Sequence, residues 1–379
     1  MRITRRELAG AVADVGVLVP IAVALIVGNG LSPTAVLLPA GLLYLANAWI
    51  YGLPLPSQPL KAFGAIAIAE GLGADEIAAG ALLIGALFLV AGRLGLVDRA
   101  ARAFPRPLVR GVQLAVGLLF LQIAWGLAAD PPAAFSEHAL PPAWAVGLAV
   151  AAAVVALAFR RSGAALLLVA GGVAVMVVSA GGSASLGPSA LALPALDLGV
   201  LATAFVVLVV PQAPLSFANS CLATADAARV YFGEERARRV QPGSLASTYG
   251  VANLFAGSIG GMPVCHGAGG LTAHYSFGAR TAAAPLVMGV VLVALALGLG
   301  SGLAALLVAF PLPILAALLA VAGLLHVGLL RDLTGAKAWT AALVVGALGA
   351  TIGLAAGLAI GLALWWLAPG ARRLRAAFA

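Results

Sequence analysis

The chain has 379 residues, of which 63% are apolar and 9% charged, with a mean hydropathy of +1.11. These proportions exclude a water-soluble globular protein and predict an all-α polytopic membrane protein. The formal net charge of +8 requires no nucleic acid as a partner, because cytoplasmic loops of membrane proteins collect basic residues. The two cysteines, Cys221 and Cys265, lie in or beside apolar segments, so we expect no disulfide framework, and no spacing predicts a metal or a cofactor.

Hydropathy, interrupted by Gly, Pro and charged residues, predicts fourteen membrane crossings. The first apolar run follows Arg2, Arg5 and Arg6 and continues through Pro20 toward Asn29, which indicates a retained span and not a cleaved signal. The approximate limits of the spans are 9–28, 34–50, 54–70, 76–96, 108–128, 142–159, 163–179, 197–218, 243–257, 262–278, 282–300, 303–327, 338–353 and 355–368. The longest soluble piece is expected at about 223–243, which is too short for a domain.

The charged residues give an independent test of this count. With the N-terminus inside, the basic residues of the predicted loops follow even-numbered spans, as expected of cytoplasmic loops. They are Arg93, Arg99, Arg102, Arg106, Arg160, Arg161, Arg229, Arg236, Arg238, Arg239, Arg280, Arg331, Lys337, Arg372, Arg373 and Arg375. We therefore expect both termini in the cytoplasm and the protein in the inner (plasma) membrane.

The third span contains a polar break, Pro54-Leu-Pro-Ser-Gln-Pro-Leu-Lys61. Its prolines remove backbone donors, which predicts an extended segment to Gln58 and a half-length helix from near Pro59. By our count, Lys61 is the only one of the 21 Lys and Arg residues inside a membrane-crossing stretch. A charge at that depth costs at least about 2.5–3.5 kcal/mol on insertion scales, so we expect Lys61 to bind an anion. The structural alternative is an ion pair with Asp14 or Glu70.

The tenth span repeats this break in the second half of the chain. Gly261–Leu271 aligns without gaps with Gly52–Ala62, and each copy opens the third span of its half. Because seven spans per half is an odd number, the second copy enters from the opposite face, which predicts a 7+7 inverted repeat. A second half-helix is expected to begin between His266 and Gly269. Two helix N-termini would then face each other near the midplane and form an anion site.

The predicted substrate-binding residues lie mainly at these two helix starts. They are Ser57, Gln58, Lys61, Cys265, His266, Gly267, Ala268 and Gly269, with Gln212, Ser216 and Asn219 from span 8 and Gln113 from span 5. Small residues let a ligand approach the backbone, whereas Gln58 could donate to an oxyanion or cap the helix. We expect His266 to donate a hydrogen bond, and His274 to be a buried structural partner.

Three readings stay open among these residues. The span 8 group follows a Pro-x-x-Pro break and could supply neutral donors or interhelical hydrogen bonds. A metal or catalytic role for Cys265 and His266 is disfavoured, because adjacent side chains of an extended segment point in opposite directions. Asp14 and Glu70 could carry a coupled proton, although Glu70 could also be simply exposed beside Asp75 and Glu76.

The second break also carries a family resemblance. The segment Gly260-Gly-Met-Pro-Val-Cys-His-Gly-Ala-Gly-Gly-Leu-Thr-Ala-His-Tyr-Ser-Phe-Gly-Ala279 resembles a hallmark motif of the molybdate transporters of plants, algae and bacteria, distant relatives of the sulfate permeases. Pro56–Ala62 is similar to the other hallmark motif. Weaker matches are Ala13–Pro20, Val109–Leu114, Pro211–Ser216 and Asn219–Ser220.

The resemblance implies a core domain and a gate domain, each built from both halves. The core would be 1–104 (spans 1–4) and 197–300 (spans 8–11), and the gate 105–196 (spans 5–7) and 301–379 (spans 12–14). It further implies an elevator motion of the core against the gate, and a homodimer through the gate.

The expected function is therefore secondary import of molybdate, with the anion between half-helices 3 and 10. The alternatives are a sulfate, tungstate or broader oxyanion transporter, or a nucleobase-type permease, which should place an acidic residue in span 8 or 10. An intramembrane enzyme is a further class, and Cys265→Ser should abolish its activity. No Gly-x-x-x-x-Gly-Lys-Ser/Thr loop occurs in the chain, so we expect transport to draw on a gradient.

Overall fold

The computed structural model describes residues 3–102, 104–159, 164–180 and 185–367. Of the predicted cytoplasmic residues, Arg2, Arg160, Arg161, Arg372, Arg373 and Arg375 lie outside this part. The helices are α1 (Arg5–Ala11), α2 (Val15–Gly28), α3 (Pro33–Tyr51), α4 (Lys61–Ala69), α5 (Ala74–Arg93), α6 (Leu96–Arg102), α7 (Arg106–Ala129), α8 (Pro142–Ala158), α9 (Ala164–Ser179), α10 (Leu198–Thr203), α11 (Val210–Leu215), α12 (Thr224–Ala237), α13 (Pro242–Ser258), α14 (Ala268–Phe277), α15 (Ala283–Gly298), α16 (Leu303–Leu307), α17 (Leu312–Val327), α18 (Ala336–Thr351) and α19 (Leu354–Leu367). Two-residue strands lie at β1 (Gln58–Pro59) and β2 (Val264–Cys265).

Several helices are long and apolar enough to cross a bilayer. Within the described residues, six helical stretches meet that requirement: Arg5–Gly28, Pro33–Tyr51, Ala74–Arg93, Arg106–Ala129, Leu198–Ala237 and Leu312–Asp332. Shorter apolar helices are Pro142–Ala158, Ala164–Ser179, Ala283–Gly298, Ala336–Thr351 and Ala356–Trp366. The fold is thus that of a polytopic helical membrane protein, while the count of fourteen crossings stays a prediction.

The chain leaves the helical conformation at both sequence breaks. Gly52 ends α3 in the left-handed region (φ 66°), and Gly260 follows α13 in the same conformation (φ 67°). The extended segments that follow pair as an antiparallel ladder, with Gln58 opposite Cys265 and Pro59 opposite Val264. The amide of Leu60 adds a bond to the carbonyl of Pro263 at 3.1 Å. Immediately beyond the ladder, the short helices α4 and α14 begin.

The predicted break in span 8 is wrong. The chain stays helical from Leu198 to Phe232, because the π-helical turns Ala204–Val209 and Ser216–Ala223 flank α11 and accommodate Pro211 and Pro214. A widened turn shifts the hydrogen-bond register, so a missing proline donor need not end the helix.

Two further boundaries differ from the sequence prediction. The expected soluble piece 223–243 mostly forms α12, which buries Ala228 and Phe232 and bends at Gly233 (φ 80°). Span 12 is not continuous, since α16 ends at Leu307 and α17 begins at Leu312, directly after Pro311. A proline fits the first turn of a helix but not its interior, which explains this second boundary.

Glycines allow three helix pairs to pack backbone to backbone. A Cβ at Gly85 of α5 would lie 2.8 Å from the amide nitrogen of Leu254 in α13, and one at Gly250 would lie 2.6 Å from that of Leu89. The same contact joins α3 to α15 at Gly41 and Gly289, and α7 to α17 at Gly117 and Gly323. Small residues at such crossings are the usual basis of close packing between membrane helices.

We expect Gly250→Ala to lower the stability of the purified protein by about 1–3 kcal/mol, because the new methyl group meets backbone that cannot rotate away. The midpoint of thermal unfolding in detergent measures this loss. Gly126→Ala is the matched control, since nothing lies within 4 Å of a Cβ there. Equal unfolding midpoints for the two variants would contradict the packing argument.

Candidate functional site

The beginnings of α4 and α14 meet at Lys61. The ammonium Nζ of Lys61, the first residue of α4, donates to the buried Gln58 Oε1 at 2.8 Å. Gly267 is the N-cap residue of α14, and a Cβ there would overlap Gln58 Oε1 and lie 3.4 Å from Lys61 Nζ. Each helix start carries free amide groups and a partial positive charge. The structure therefore brings Gln58, Lys61 and Gly267 together at a site of concentrated positive charge.

Phe120 of α7 forms one wall of this site. Lys61 Nζ lies 5.2 Å from the centre of its ring, and a Cβ at Gly269 would lie 2.6 Å from the ring edge. Ala268 is fully buried beside it. The ring gives the ammonium group a cation–π partner and excludes water from one side. Sequence analysis did not select Phe120, because an aromatic residue in an apolar span carries no signal of its own.

Side chains from neighbouring helices bind the backbone of the two extended segments. Asn47 of α3 donates to the carbonyl of Pro56 at 3.0 Å. Asn253 of α13 donates to the carbonyl of Val264 at 2.8 Å and accepts from its amide at 2.7 Å. His274 of α14, predicted to be a buried structural partner, has Nδ1 2.8 Å from the carbonyl of Pro54. Asn47 and Asn253 were also missed, although each is an isolated amide in an apolar helix that precedes a break.

The remaining residues of the extended segments have other neighbours. His266 is fully buried, with Nε2 2.8 Å from Thr248 Oγ1 of α13 and its ring against Tyr51 of α3. Cys265 Sγ lies 3.8 Å from the carbonyl oxygen of Pro59. Ser57 is buried, and its hydroxyl has no hydrogen-bond partner among the described residues. A donor role for His266 and Ser57 stays a prediction.

The span 8 residues connect α11 to α4 and α13. Gln212 Oε1 accepts the amide of Phe63, in the first turn of α4, at 2.8 Å. Its Nε2 donates to Ser216 Oγ at 3.1 Å, and that hydroxyl lies 3.0 Å from Tyr249 Oη. These contacts are interhelical hydrogen bonds, the second of the two alternatives that the sequence left open for the span 8 residues. Asn219 is buried, and its Oδ1 has no partner among the described residues.

Lys61 is not the only cation inside a crossing stretch, and that count is wrong. Arg110 in α7 is fully buried and forms ion pairs with Asp226 of α12 and Asp332 after α17. Its Nη1 also donates to Gln113 Oε1 at 2.8 Å. Gln113, predicted to reach the substrate, in turn donates to Asp226 Oδ2 at 3.1 Å. Two carboxylates thus compensate Arg110, which is what allows its burial.

The two candidate proton carriers are not both described. Glu70 is the exposed C-cap residue of α4, at the opposite end of that helix from Lys61, which rules out Glu70 as the ion-pair partner in the structural alternative. The side chain of Asp14 lies outside the described part of the chain. Among the described side chains, Lys61 has no carboxylate partner.

Comparison with known proteins places these features in context. Residues 6–120 and 204–325 match the family model described as "Molybdate transporter of MFS superfamily". The chain is 29% identical to Molybdate transporter 1 of Arabidopsis thaliana over 84% of its length and 78% of the relative's, and 29% identical to Molybdate transporter 2 of that plant over 84% and 77%. Among solved structures, the transmembrane domain of a cyanobacterium bicarbonate transporter, BicA, superposes with a TM-score of 0.59 at 21% identity, covering 93% of this chain and 96% of that domain. This likeness shows the fold alone.

We expect Arg110→Met to lower the free energy of unfolding by about 1.5–3 kcal/mol, because the charge-assisted hydrogen bonds of Arg110 to Asp226 and Asp332 are lost. Thermal unfolding in detergent measures the change. Arg331→Met is the control, since Arg331 is exposed and has no ion pair among the described residues. If both variants unfold at the parent temperature, the three-residue cluster does not contribute to stability.

Proposed function

Since this chain belongs to the molybdate transporter family, we propose that it is a secondary transporter of a tetrahedral oxyanion, with molybdate as the first candidate. The observation that carries the proposal is the meeting of two helix starts at Lys61. Lys61 has no carboxylate partner among the described side chains, whereas Arg110 has two. A doubly charged anion would supply the missing negative charge.

The chemistry of binding follows from the groups that surround Lys61. The amides at the starts of α4 and α14 would donate to the oxyanion, as helix N-termini do in other anion sites. Gln58 currently accepts from Lys61. An incoming anion would compete for that ammonium group, and the bond between Lys61 and Gln58 would yield to a stronger charge-assisted contact. Gly267 and Gly269 would let the anion reach backbone amides without meeting a side chain.

We propose a division into core and gate domains at the predicted boundaries. The core would comprise 1–104 and 197–300 and would carry β1, β2, α4 and α14. The gate would comprise 105–196 and 301–379 and would supply Phe120. We propose that the core moves as an elevator, that import occurs at the inner membrane with both termini cytoplasmic, and that two copies associate through the gate.

A nucleobase substrate is less favoured by the observed contacts. Such a carrier needs a carboxylate that accepts ring N–H groups. The helical stretch Leu198–Ala237 does contain Asp226, but this carboxylate pairs with Arg110 and accepts from Gln113. The site is thus better suited to an acceptor-only oxyanion than to a ring that must donate.

We expect Lys61→Ala to weaken molybdate binding at least tenfold, about 1.4 kcal/mol, because the ammonium group between the two helix starts is removed while both helix starts remain. Titration of purified protein with molybdate measures the dissociation constant. Tungstate, sulfate and uracil in competition define the substrate class.

Lys337→Ala is the matched control for this experiment. Lys337 is exposed and lies over the ring of Trp365, so its removal should leave the dissociation constant unchanged. Parent-like binding by Lys61→Ala would overturn the role of Lys61, and competition by uracil alone would overturn the oxyanion proposal.

We also expect Gly267→Ala to weaken molybdate binding by about tenfold, because its methyl group would push Gln58 away from Lys61 and cover the start of α14. Gly28→Ala, where nothing lies within 4 Å of a Cβ, should bind like the parent. Parent affinity in Gly267→Ala would show that the anion does not approach this helix start.

A further inference from the structure

His326 of α17 lies one helical turn beyond the proposed anion site, and sequence analysis did not select it. Its side chain is fully buried, with Nδ1 2.7 Å from Thr272 Oγ1 of α14. Thr272 itself is one turn along α14 from Gly269. The imidazole therefore reaches from the proposed gate to the half-helix that would hold the substrate.

The hydrogen bonds of Thr272 determine which ring nitrogen carries the proton. A threonine hydroxyl has one hydrogen to donate and two lone pairs that accept. Thr272 Oγ1 donates to the carbonyl of Ala268 at 3.0 Å and accepts from Tyr231 Oη at 3.1 Å. Its remaining lone pair must accept from His326, so Nδ1 carries the hydrogen. Nε2 of neutral His326 is then a bare lone pair.

That lone pair is an unsatisfied acceptor. Nε2 has no hydrogen-bond partner among the described residues, and a buried acceptor left unsatisfied in this way is destabilising. Because buried polar atoms nearly always have a hydrogen-bond partner, an atom without one is a candidate site for a ligand, an ion or a proton. The opposite edge of the ring is fixed by Thr272, so the imidazole cannot turn Nε2 elsewhere without losing that bond.

His326 is fully buried, and an apolar interior disfavours a charged imidazole. Lys61 lies on the other side of Phe120 from α17: its Nζ is 5.2 Å from the centre of that ring, and a Cβ at Gly323, one turn before His326, would lie 3.1 Å from Phe120 Cβ. Asp226 and Asp332 compensate Arg110, but no described carboxylate compensates Lys61. Of the other titratable groups on elements packed against α17, His274 bonds to the carbonyl of Pro54, and the side chain of Asp14, in the 3₁₀ turn beside α17, lies outside the described part.

We propose that His326 Nε2 accepts a proton when the oxyanion binds beside Lys61, so that one proton travels with each anion. This inference rests on the proposed function. The dianion offsets the repulsion from Lys61 and makes the imidazolium favourable. The proton comes from solution on the face where the anion enters, sits on Nε2 as an N–H donor, and returns to solution on the other face when the anion leaves. Neutral His326 is then restored.

The test measures protons taken up when molybdate binds. Purified protein in weakly buffered detergent solution is mixed with sodium molybdate, and a pH indicator reports proton uptake while calorimetry reports binding. At a pH near neutrality, the proposal predicts that the parent takes up about one proton per anion bound, and by linkage its affinity for molybdate should fall as the pH rises. His326→Gln should bind molybdate with no proton uptake. His138→Gln, at an exposed position, should behave like the parent.

Each outcome decides between the two proposals. Molybdate binding by the parent without proton uptake, or undiminished uptake in His326→Gln, would overturn the role of His326 and leave the proposed function intact. Absence of oxyanion binding by the parent would instead contradict the proposed function, and this inference with it.

A second variant covers the case in which His326→Gln does not fold. Thr272→Val keeps the shape of the side chain but removes the acceptor of Nδ1–H, which should move proton uptake to lower pH by destabilising the imidazolium. An unchanged pH dependence in Thr272→Val would also overturn the proposal.

Discussion

A peptide group that leaves a helix inside a bilayer has no water to bond to, and the centre of this protein is organised around that constraint. The two extended segments satisfy part of their backbone by hydrogen-bonding to each other, with Gln58 opposite Cys265. The carbonyls that the ladder does not reach accept from side chains of neighbouring helices, Asn47 and Asn253. The interruption is therefore stable only because α3 and α13 each place an amide beside it.

Satisfying the backbone in this way leaves the two helix starts among the polar groups available to a ligand. Gln212 accepts a hydrogen bond from one amide in the first turn of α4. The other amides of the two helix starts lie around Lys61 and Gly267. Arg110 shows the contrasting arrangement, a buried cation held by Asp226 and Asp332. The two cations differ in compensation among the described side chains, because Arg110 has two carboxylate partners and Lys61 has none. They also differ in burial, since Arg110 is fully buried and Lys61 is half-buried.

The local features of the site could be predicted from the sequence, whereas its tertiary partners could not. Prolines and glycines act on their own backbone, so both breaks and the helix starts near Lys61 and Ala268 lie close to the predicted positions. Arg110 was overlooked because hydropathy treats a charge near a span end as part of a loop, and its partners are more than 100 residues away. The predicted break in span 8 was wrong because π-helical turns accommodate two prolines that normally end a helix. Asn47 and Asn253 carried a readable signal, a lone amide in the helix before each break.

The register of the two-residue ladder has a consequence for movement across the membrane. Because β1 and β2 are hydrogen-bonded to each other, neither helix start can shift along the membrane normal without drawing the other with it. The spacing between the two positive ends would then stay constant during any such movement. The ladder thus acts as a fixed spacer, which keeps two separate helices at one distance from a shared anion.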